Sequence, residues 1–411
     1  MKRFVLLMAS IAISAVLAGC SKNGASADAP PDFTAIPGDG VVTLAWTAAP
    51  DVEYWLFYAA GSAVTTSNWS SIGGKAVINV SSPYTITGLV NNSTYSFTMN
   101  GRKNGGPGGP GAPTQVVSPR FAGTKWAVGT PLAPGKLNGV SALSTTSVIV
   151  GTGGAIFSGT NTTPFAAQTN PAAPTDLNAV AYGGLGFVAA GKTGTLVFST
   201  DGATWTTKTS GSVADLYGLA TPGTGIFVAV GAAGTTLFSV DGTTWTTPAS
   251  ATARDLYAAT YGIGRYVAVG AGGTIVTSTD GTTWQAVASN SASDLRGVAL
   301  GTFVTTTGTG VTAITTTTNL FVAIGAAGTV LTSSDGLTWT PRSAISANTM
   351  NAVAFGGQFV AVGNAGSIYT SLDGITWQAQ ASGTVNDLTA LVRTSSGYLA
   401  VGAAGTNLTS F

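Results

Sequence analysis

The sequence predicts an all-β chain in which a smaller strand-rich domain precedes a seven-bladed β-propeller. A phrase of seven residues that ends in Trp recurs along the second part, with gaps of 38 to 40 residues and one gap of 55. Each period holds four short apolar runs separated by turn residues, which is typical of propeller blades. The composition agrees, because 57 glycines and 44% hydrophobic residues suit short strands and tight turns.

The N-terminal segment predicts export. Met1-Lys2-Arg3 carries the charge, and Phe4 to Leu17 is an apolar stretch too short for an ordinary membrane span. The segment ends in Leu17-Ala18-Gly19-Cys20, followed by Ser21, and resembles the lipobox of bacterial lipoproteins. The resemblance implies a signal peptide over residues 1–20 and a lipid anchor at Cys20 that holds the protein at the membrane. If the host is Gram-negative, Ser21 implies the outer membrane. A stray Cys in an ordinary signal peptide is the alternative.

The next residues, 21–31, are predicted to form a flexible tether because they are rich in Gly, Ala, Ser and Pro. Cys20 is the only Cys, so the mature chain is expected to contain no disulfide.

Residues 32–119 show the patterns of a β-sandwich. Val41 to Trp46 alternates as a half-buried strand, and Leu89 is followed by Tyr95 at the start of a later strand. This arrangement resembles the tyrosine corner of a fibronectin type III domain, and Trp46 lies where that family keeps the Trp of strand B. The resemblance covers the whole segment and implies a spacer or interaction module. The loop 104–111 lies where such domains often bind partners, with an ordinary solvated loop as the alternative.

Residues 120–411 contain the repeats. The first strand of each unit begins with an apolar residue, which gives seven units. The last unit stops after its third strand, so residues 124–130 are predicted to supply the fourth strand and close the ring, which removes exposed sheet edges. The seven leading residues are Leu137, Leu177, Leu216, Leu256, Leu295, Met350 and Leu388.

The repeated phrase, for example Ser199 to Trp205, resembles the Asp-box of sialidases, sortilin-like receptors and photosystem II assembly factors, with one residue fewer between Asp and Thr. The Asp is expected to accept backbone N–H groups, the Gly to adopt a positive φ, and the Trp to pack between blades. These residues are therefore interpreted as structural. They are Asp201, Trp205, Asp241, Trp245, Asp280, Trp284, Asp335, Trp339, Asp373 and Trp377.

Composition argues against several chemistries. The chain has no His, so a Ser-His-Asp triad is excluded, and a metal site made of His and Cys is not expected. The repeats contain ten Asp and no Glu; five lie in the Asp-box turns and five precede the leading apolar residues. Glycoside hydrolysis normally needs two carboxylates in different environments. Net charge is +1 without a basic patch, which argues against nucleic acid. No catalytic residue, cofactor or metal is predicted.

Candidate ligand-binding residues follow the leading apolar residues. These positions are expected to form a mixed polar and aromatic ring at the channel mouth, suited to a sugar or a peptide segment. Ordinary capping of a solvated channel is the alternative. The ring comprises Asn138, Asn178, Tyr217, Tyr257, Arg296, Asn351 and Thr389, with Arg254 nearby.

The fifth unit carries an insertion, residues 302–319, between its first and second strands. Gly308-Thr309-Gly310 at its centre predicts a projecting hairpin on the opposite face, beside the Asp-box turns. Such an insertion marks a contact surface or is neutral.

The function predicted from these patterns is that of an exported, lipid-anchored, monomeric binding module for adhesion, recognition or scaffolding at the bacterial cell surface, with a protein or glycan ligand. The alternative is an assembly or chaperone-like factor for an envelope complex, although the photosystem family binds through an arginine-rich surface and the Arg residues of these repeats are scattered. A polysaccharide-active enzyme is disfavoured by the missing Glu. These functional interpretations rest partly on analogy with proteins of the same fold.

Overall fold

The computed structural model describes residues 24–61, 63–160, 163–307 and 314–410. Within these ranges, residues 304–307 and 314–315 are described by their backbone only. The chain divides into two compact units, Met1–Pro119 and Arg120–Phe411. The predicted signal peptide, including Cys20, lies outside these residues. Across the described ranges, no helix has the length and apolar character needed to cross a membrane.

Unit 1 consists of two antiparallel sheets. The larger has the order β1-β7-β4-β5 with β8 also paired to β7, and the smaller has the order β2-β3-β6. The strands are β1 (Ala25–Ala27), β2 (Thr34–Pro37), β3 (Val42–Ala45), β4 (Glu53–Ala60), β5 (Lys75–Val80), β6 (Tyr84–Ile86), β7 (Tyr95–Lys103) and β8 (Gln115–Val117).

The core of unit 1 joins residues of both sheets. Leu44 and Ile86 from the smaller sheet and Leu56 and Phe97 from the larger one are buried in a single cluster. The alternation of apolar and polar residues along β3 produces this burial, because successive side chains leave opposite faces of a strand. At the predicted corner, the Val90 N–H donates to the Tyr95 hydroxyl at 3.1 Å.

The prediction of a flexible tether over residues 21–31 is wrong for strand β1, which lies within that range. Ala25 pairs with Lys103, so this segment forms an edge of the larger sheet. Small residues allow the approach, because a Cβ on Gly24 would lie 2.5 Å from the Cα of Gly106. A three-residue strand of Ala and Ser has no hydrophobic periodicity that would reveal it in the sequence.

Unit 2 is built from small antiparallel sheets that follow one another along the chain. The first blade consists of β10 (Leu137–Leu143), β11 (Thr146–Gly151), β12 (Ile156–Thr160) and β13 (Ala166–Ala167). The second blade consists of β14 (Leu177–Tyr182), β15 (Phe187–Gly191), β16 (Leu196–Ser199) and β17 (Thr206–Lys208). The third blade consists of β18 (Leu216–Ala220), β19 (Phe227–Gly231) and β20 (Thr236–Ser239).

The next three blades have the same order of strands. The fourth blade consists of β21 (Leu256–Gly262), β22 (Arg265–Gly270), β23 (Ile275–Ser278) and β24 (Gln285–Val287). The fifth blade consists of β25 (Leu295–Thr307), β26 (Ile314–Gly325), β27 (Val330–Ser333) and β28 (Thr340–Arg342). The sixth blade consists of β29 (Met350–Phe355), β30 (Phe359–Gly363), β31 (Ile368–Ser371) and β32 (Gln378–Gln380).

The seventh blade combines both ends of unit 2. Its strands β33 (Leu388–Arg393), β34 (Tyr398–Gly402) and β35 (Asn407–Ser410) are completed by β9 (Trp126–Val128), which pairs with β35. Each first strand contacts that of the next blade, and β33 contacts β10, so the ring is closed. The predicted seven-bladed propeller with an N-terminal closing strand is confirmed.

The third blade lacks a regular fourth strand. Phe238 and Thr246 form a single bridge there, whereas in the second blade Leu196 also pairs with Lys208. Pro248 follows at the position equivalent to Lys208 and has no N–H to extend the ladder, which accounts for the shorter pairing.

The Asp-box turns have the predicted chemistry. Asp201 Oδ1 accepts the N–H groups of Ala203 and Thr204, both at 2.8 Å. The indole N–H of Trp205 donates to the carbonyl of Gly202, which has φ +76°, so the turn also fixes the ring. Trp205 packs with residues of the first and second blades. The closing segment repeats the indole contact, because the Trp126 N–H donates to the carbonyl of Gly123 at 2.8 Å.

The hydrogen bonds of the Asp-box carboxyl groups predict that the protein is less stable in acid. Backbone N–H groups from Thr204 and Ala203 hold the pKa of Asp201 below its ordinary value, and equivalent bonds lower the pKa of Asp280 and Asp335. A carboxyl whose pKa is lowered by folding stabilises the fold above its unfolded pKa, and this stabilisation disappears as the pH falls through the folded pKa. We therefore expect the free energy of unfolding to decrease as the pH drops below about 4.

Urea unfolding at a series of pH values measures this decrease. The variant Asp280→Asn keeps an oxygen acceptor in one turn but has no charge to lose, so its stability should fall less between about pH 5 and pH 3 than that of the parent. The same loss in both proteins would show that this turn does not contribute to the pH dependence.

The insertion of the fifth blade is an extension of its first hairpin. Pairing continues from Leu300 and Phe321 to Thr307 and Ile314, which confirms the predicted hairpin over its paired residues. Its centre, including Gly308-Thr309-Gly310, lies outside the described residues. At the hairpin base, Phe303 packs on Phe355 of the next blade with a centroid distance of 5.0 Å.

Candidate functional site

The predicted ring positions are all β-bulges. In the first blade Leu137 pairs with Gly151 and Gly139 pairs with Val150, so Asn138 is an extra residue without a partner. The other six first strands show the same shift after their leading residue. A bulge leaves one residue out of the ladder and re-aims its side chain. The repeat therefore presents one side chain per blade at the start of the inner strand.

At four of the seven positions the bulged residue bridges two blades. Asn138 donates its amide N–H to the carbonyl of Leu177 at 2.9 Å, and Asn178 donates to Leu216 in the same way. Asn351 donates to Leu388 at 2.8 Å, and the Thr389 hydroxyl donates to Leu137. These side chains satisfy the carbonyl that each leading residue presents to its neighbour, so they contribute to the ring itself.

The other three positions depart from this pattern in consecutive blades. The rings of Tyr217 and Tyr257 have centroids 5.9 Å apart and an interplanar angle of 48°. The guanidinium of Arg296 lies 4.2 Å from the centroid of Tyr257 and donates to Asp294 at 3.1 Å. Three bulges therefore form one continuous platform, which we call the Tyr-Tyr-Arg cluster (Tyr217, Tyr257 and Arg296).

The aspartates before the first strands join the blades on the same face. Asp255 Oδ1 accepts the N–H of Ala233, in a 3-10 turn of the preceding blade, at 2.8 Å. Ala233 has φ +51°, a conformation that is uncommon in a residue with a Cβ. The same bond recurs at four other interfaces, from Gly153 to Asp176, Thr193 to Asp215, Gly272 to Asp294 and Ala365 to Asp387.

A cavity of about 410 Å³ lies at the channel mouth. The cavity is lined by all seven bulged residues together with Lys136 and Asp255. A narrower space of about 200 Å³ continues along the inner strands. The strands approach closely there, since a Cβ on Gly218 would lie 3.0 Å from the Cα of Ala258. The mouth is therefore the larger of these two spaces.

The mouth carries both signs of charge beside aromatic rings. Burial, with the charges of Asp255 and Asp215, raises the pKa of the Tyr217 hydroxyl. Burial also raises the pKa of Tyr257, against the opposing effect of Arg296. Both phenols are therefore neutral donors at neutral pH. At the interface of the first and second blades, Lys192 forms an ion pair with Asp176 at 2.7 Å, which lowers the pKa of the Asp176 carboxyl.

Arg254 was expected near the ring, and it is exposed without lining the mouth cavity. Its guanidinium occupies the space beside Gly272, where a Cβ would lie 1.9 Å from the Arg254 Nη1. In the described part of the chain, no group of three or more His, Cys, Asp or Glu side chains is placed to hold a metal ion.

The sequence predicted the ring positions but not which of their side chains bridge neighbouring blades. The bridging role of Asn138, Asn178 and Asn351 depends on the bulge, which has no signature in a single strand. The repeat register carried a usable signal, because Asn occupies the bulged position in three blades and Tyr or Arg replaces it in three consecutive ones.

The comparisons with known proteins concern the fold. No known protein-family model matches the chain, and no curated protein matches it significantly. Among solved structures, YCF48 bound to a D1 peptide is 16% identical, with 70% of this chain and 94% of that chain covered and a TM-score of 0.55. YCF48 from Cyanidioschyzon merolae is 16% identical, with coverages of 69% and 98% and a TM-score of 0.52.

An enzyme shares the architecture as well. A streptogramin B lyase is 10% identical, with 70% of this chain and 97% of that chain covered and a TM-score of 0.58. At these identities the likeness shows a β-propeller and does not decide between a binding protein and an enzyme.

Proposed function

We propose that this chain is a non-catalytic binding protein that takes an extended segment of a protein partner at the channel mouth of its propeller. The observation that carries the proposal is the Tyr-Tyr-Arg cluster. Four blades use the bulged side chain to bridge to their neighbour, whereas these three consecutive blades present two adjoining tyrosine rings and a guanidinium to the cavity. Aromatic residues and Arg are the side chains that most often dominate protein recognition.

The dimensions of the mouth support a small contact. Its volume of about 410 Å³ lies in the range of ligand sites, about 300–1,000 Å³. It accommodates one or two side chains of a partner, while the surrounding loops provide a rim. A glycan remains the second class of ligand, because tyrosine rings also offer flat apolar faces.

We propose further that the protein acts at the cell envelope. The support is the sequence alone: the lipobox-like segment ending at Cys20 and the Ser that follows it. In this arrangement unit 1, with its resemblance to a fibronectin type III domain, is a spacer between the anchored end and the propeller.

A second candidate function is assembly of a membrane complex. It is favoured by the similarity to a YCF48 propeller bound to a D1 peptide. The mouth of this chain is lined by two cationic residues, Arg296 of the Tyr-Tyr-Arg cluster and Lys136, beside two tyrosines and Asp255. Its chemistry is therefore set by the tyrosines and the aspartate at least as much as by cations. A polysaccharide-active enzyme is less well supported, because each aspartate before a first strand already accepts a backbone N–H.

Peptide display on the purified mature chain tests the binding site. We expect peptides to be captured, and we expect the triple variant Tyr217→Ala, Tyr257→Ala and Arg296→Ala to lose their binding by more than about tenfold, since centrally placed aromatic and Arg residues each contribute about 1 kcal/mol or more.

Arg254→Ala is the matched control, because this exposed Arg lies near the ring but does not line the cavity. Both proteins are checked by thermal unfolding. Capture that is unchanged in a folded triple variant, or no capture by the parent chain, would count against binding at the mouth.

A further inference from the structure

We propose that the part of the mouth lined by Tyr217, Tyr257 and Asp255 is a subsite for a cationic side chain of the partner, a guanidinium or an ammonium group. This inference rests on the proposed function and adds the chemistry of the ligand to it. The argument comes from the repeat, because the neighbouring blade interface contains the same arrangement with its own cation in place.

The internal example lies between the fourth and fifth blades. Arg296 covers the ring of Tyr257 at 4.2 Å and donates to Asp294 Oδ2 at 3.1 Å. The other oxygen of Asp294 accepts the N–H of Gly272 at 2.9 Å. A tyrosine of one blade and an aspartate of the next thus hold a guanidinium between them, in agreement with the attraction of cations to aromatic faces and carboxylates.

One blade earlier, the same positions hold Tyr217 and Asp255, but Tyr257 stands where Arg296 stands in the next blade. Asp255 Oδ1 accepts the N–H of Ala233 at 2.8 Å. Among the residues that the structure describes, Asp255 Oδ2 has neither a hydrogen-bond donor nor an ion-pair partner. The interface therefore contains the ring and the carboxylate of the neighbouring site without the cation.

The other interfaces lack this combination. Lys192 occupies the second oxygen of Asp176 at 2.7 Å, and the charge of Asp215 also acts on Lys192. Asp387 has the bond to the preceding blade, but the bulged residues beside it are Asn351 and Thr389. Within the described ranges, a mouth-lining carboxylate oxygen without a cation is flanked by two tyrosines at Asp255 alone.

The geometry suits a side chain that enters from the cavity. The rings of Tyr217 and Tyr257 contact each other at a centroid distance of 5.9 Å and a tilt of 48°, and both line the cavity together with Asp255. A cation there would lie within about 6 Å of a tyrosine ring, the range over which the attraction acts. Lys136 and Arg296 repel a second cation elsewhere in the mouth, so one basic residue per bound segment is expected.

The test uses the full chain with labelled tyrosines and two probes, N-acetylarginine methylamide and its citrulline analogue, which is of similar shape but uncharged. We expect saturable NMR shifts of the Tyr217 and Tyr257 rings with the arginine probe, and affinity at least about fivefold weaker with citrulline. Shifts of equal size and affinity with both probes, or no saturable shift with arginine, would overturn the subsite.

Two variants locate the charge that matters. Asp255→Asn retains an oxygen for the Ala233 N–H and removes the negative charge, so it should weaken the arginine probe by about fivefold or more. Asp387→Asn makes the same change at an interface whose bulged residues are Asn351 and Thr389, and it should bind as the parent does. Equal binding by the parent and Asp255→Asn would overturn the role of Asp255.

Peptide display separates this inference from the proposed function. Captured peptides that depend on the Tyr-Tyr-Arg cluster but show no enrichment of Arg or Lys would overturn the subsite and leave binding at the mouth intact. If no peptide is captured, binding of a partner segment fails, and the arginine titration still decides whether the subsite binds a cation.

Discussion

Removal of the closing strand is expected to destabilise the propeller by about 5 kcal/mol, from roughly 1 kcal/mol for each ladder hydrogen bond and about 2 kcal/mol for the partly buried Trp126. Strand β9 pairs with β35 over three residue pairs. Trp126 also packs against the core of the sixth and seventh blades together with Ala122. Without these contacts the outer strand of the last blade becomes an exposed edge.

Two truncated proteins isolate this effect. A chain that begins at Arg120 lacks unit 1 but retains β9, and a chain that begins at Gly129 lacks both. Urea unfolding of the first should match the propeller transition of the full chain, while the second should unfold at much lower denaturant or aggregate. Equal stability of the two would show that β9 does not hold the ring closed.

The second large effect is expected for Trp339→Ala. Its side chain is 2% exposed and packs with Val267 of the fourth blade and Phe321 of its own blade. Replacing a buried Trp by Ala removes apolar contacts and leaves a cavity, which costs about 3–5 kcal/mol. The Asp-box turn loses its indole hydrogen bond to Gly336 as well.

Trp245→Ala is the matched control, since Trp245 occupies the same position in the third blade but is only partly buried. It should cost clearly less than Trp339→Ala in thermal or urea unfolding. A similar loss at both positions would show that burial of the ring does not determine the contribution of the Asp-box Trp.

The propeller could be predicted because each blade repeats one pattern. Apolar residues, turn residues and the Asp-box recur in register, so the errors of a single strand assignment are corrected by the other copies. Strand β1 and the short pairing of the third blade have no such support. The first consists of Ala and Ser with no periodicity, and the second depends on Pro248, whose effect appears only when the ladder is aligned.

The candidate site was predictable as a ring and not as a cluster. The sequence places Asn178, Tyr217 and Tyr257 at equivalent positions, but it does not show which of these side chains bridge neighbouring blades. That distinction requires the bulge and the carbonyl that the Asn178 amide reaches. The relation of Asp255 to Tyr217 also joins two different blades, and such a contact appears only once the ring is assembled.

The closing strand also sets the order of events during biosynthesis. The Asn407 side chain donates to the carbonyl of Thr130, which lies 277 residues earlier in the chain. The first six blades are built from hairpins of neighbouring strands, whereas β9 precedes all of them in the chain and pairs with β35, a strand of the seventh blade. The ring therefore closes only after β35 has been made, and a chain interrupted before β35 would leave β9 unpaired.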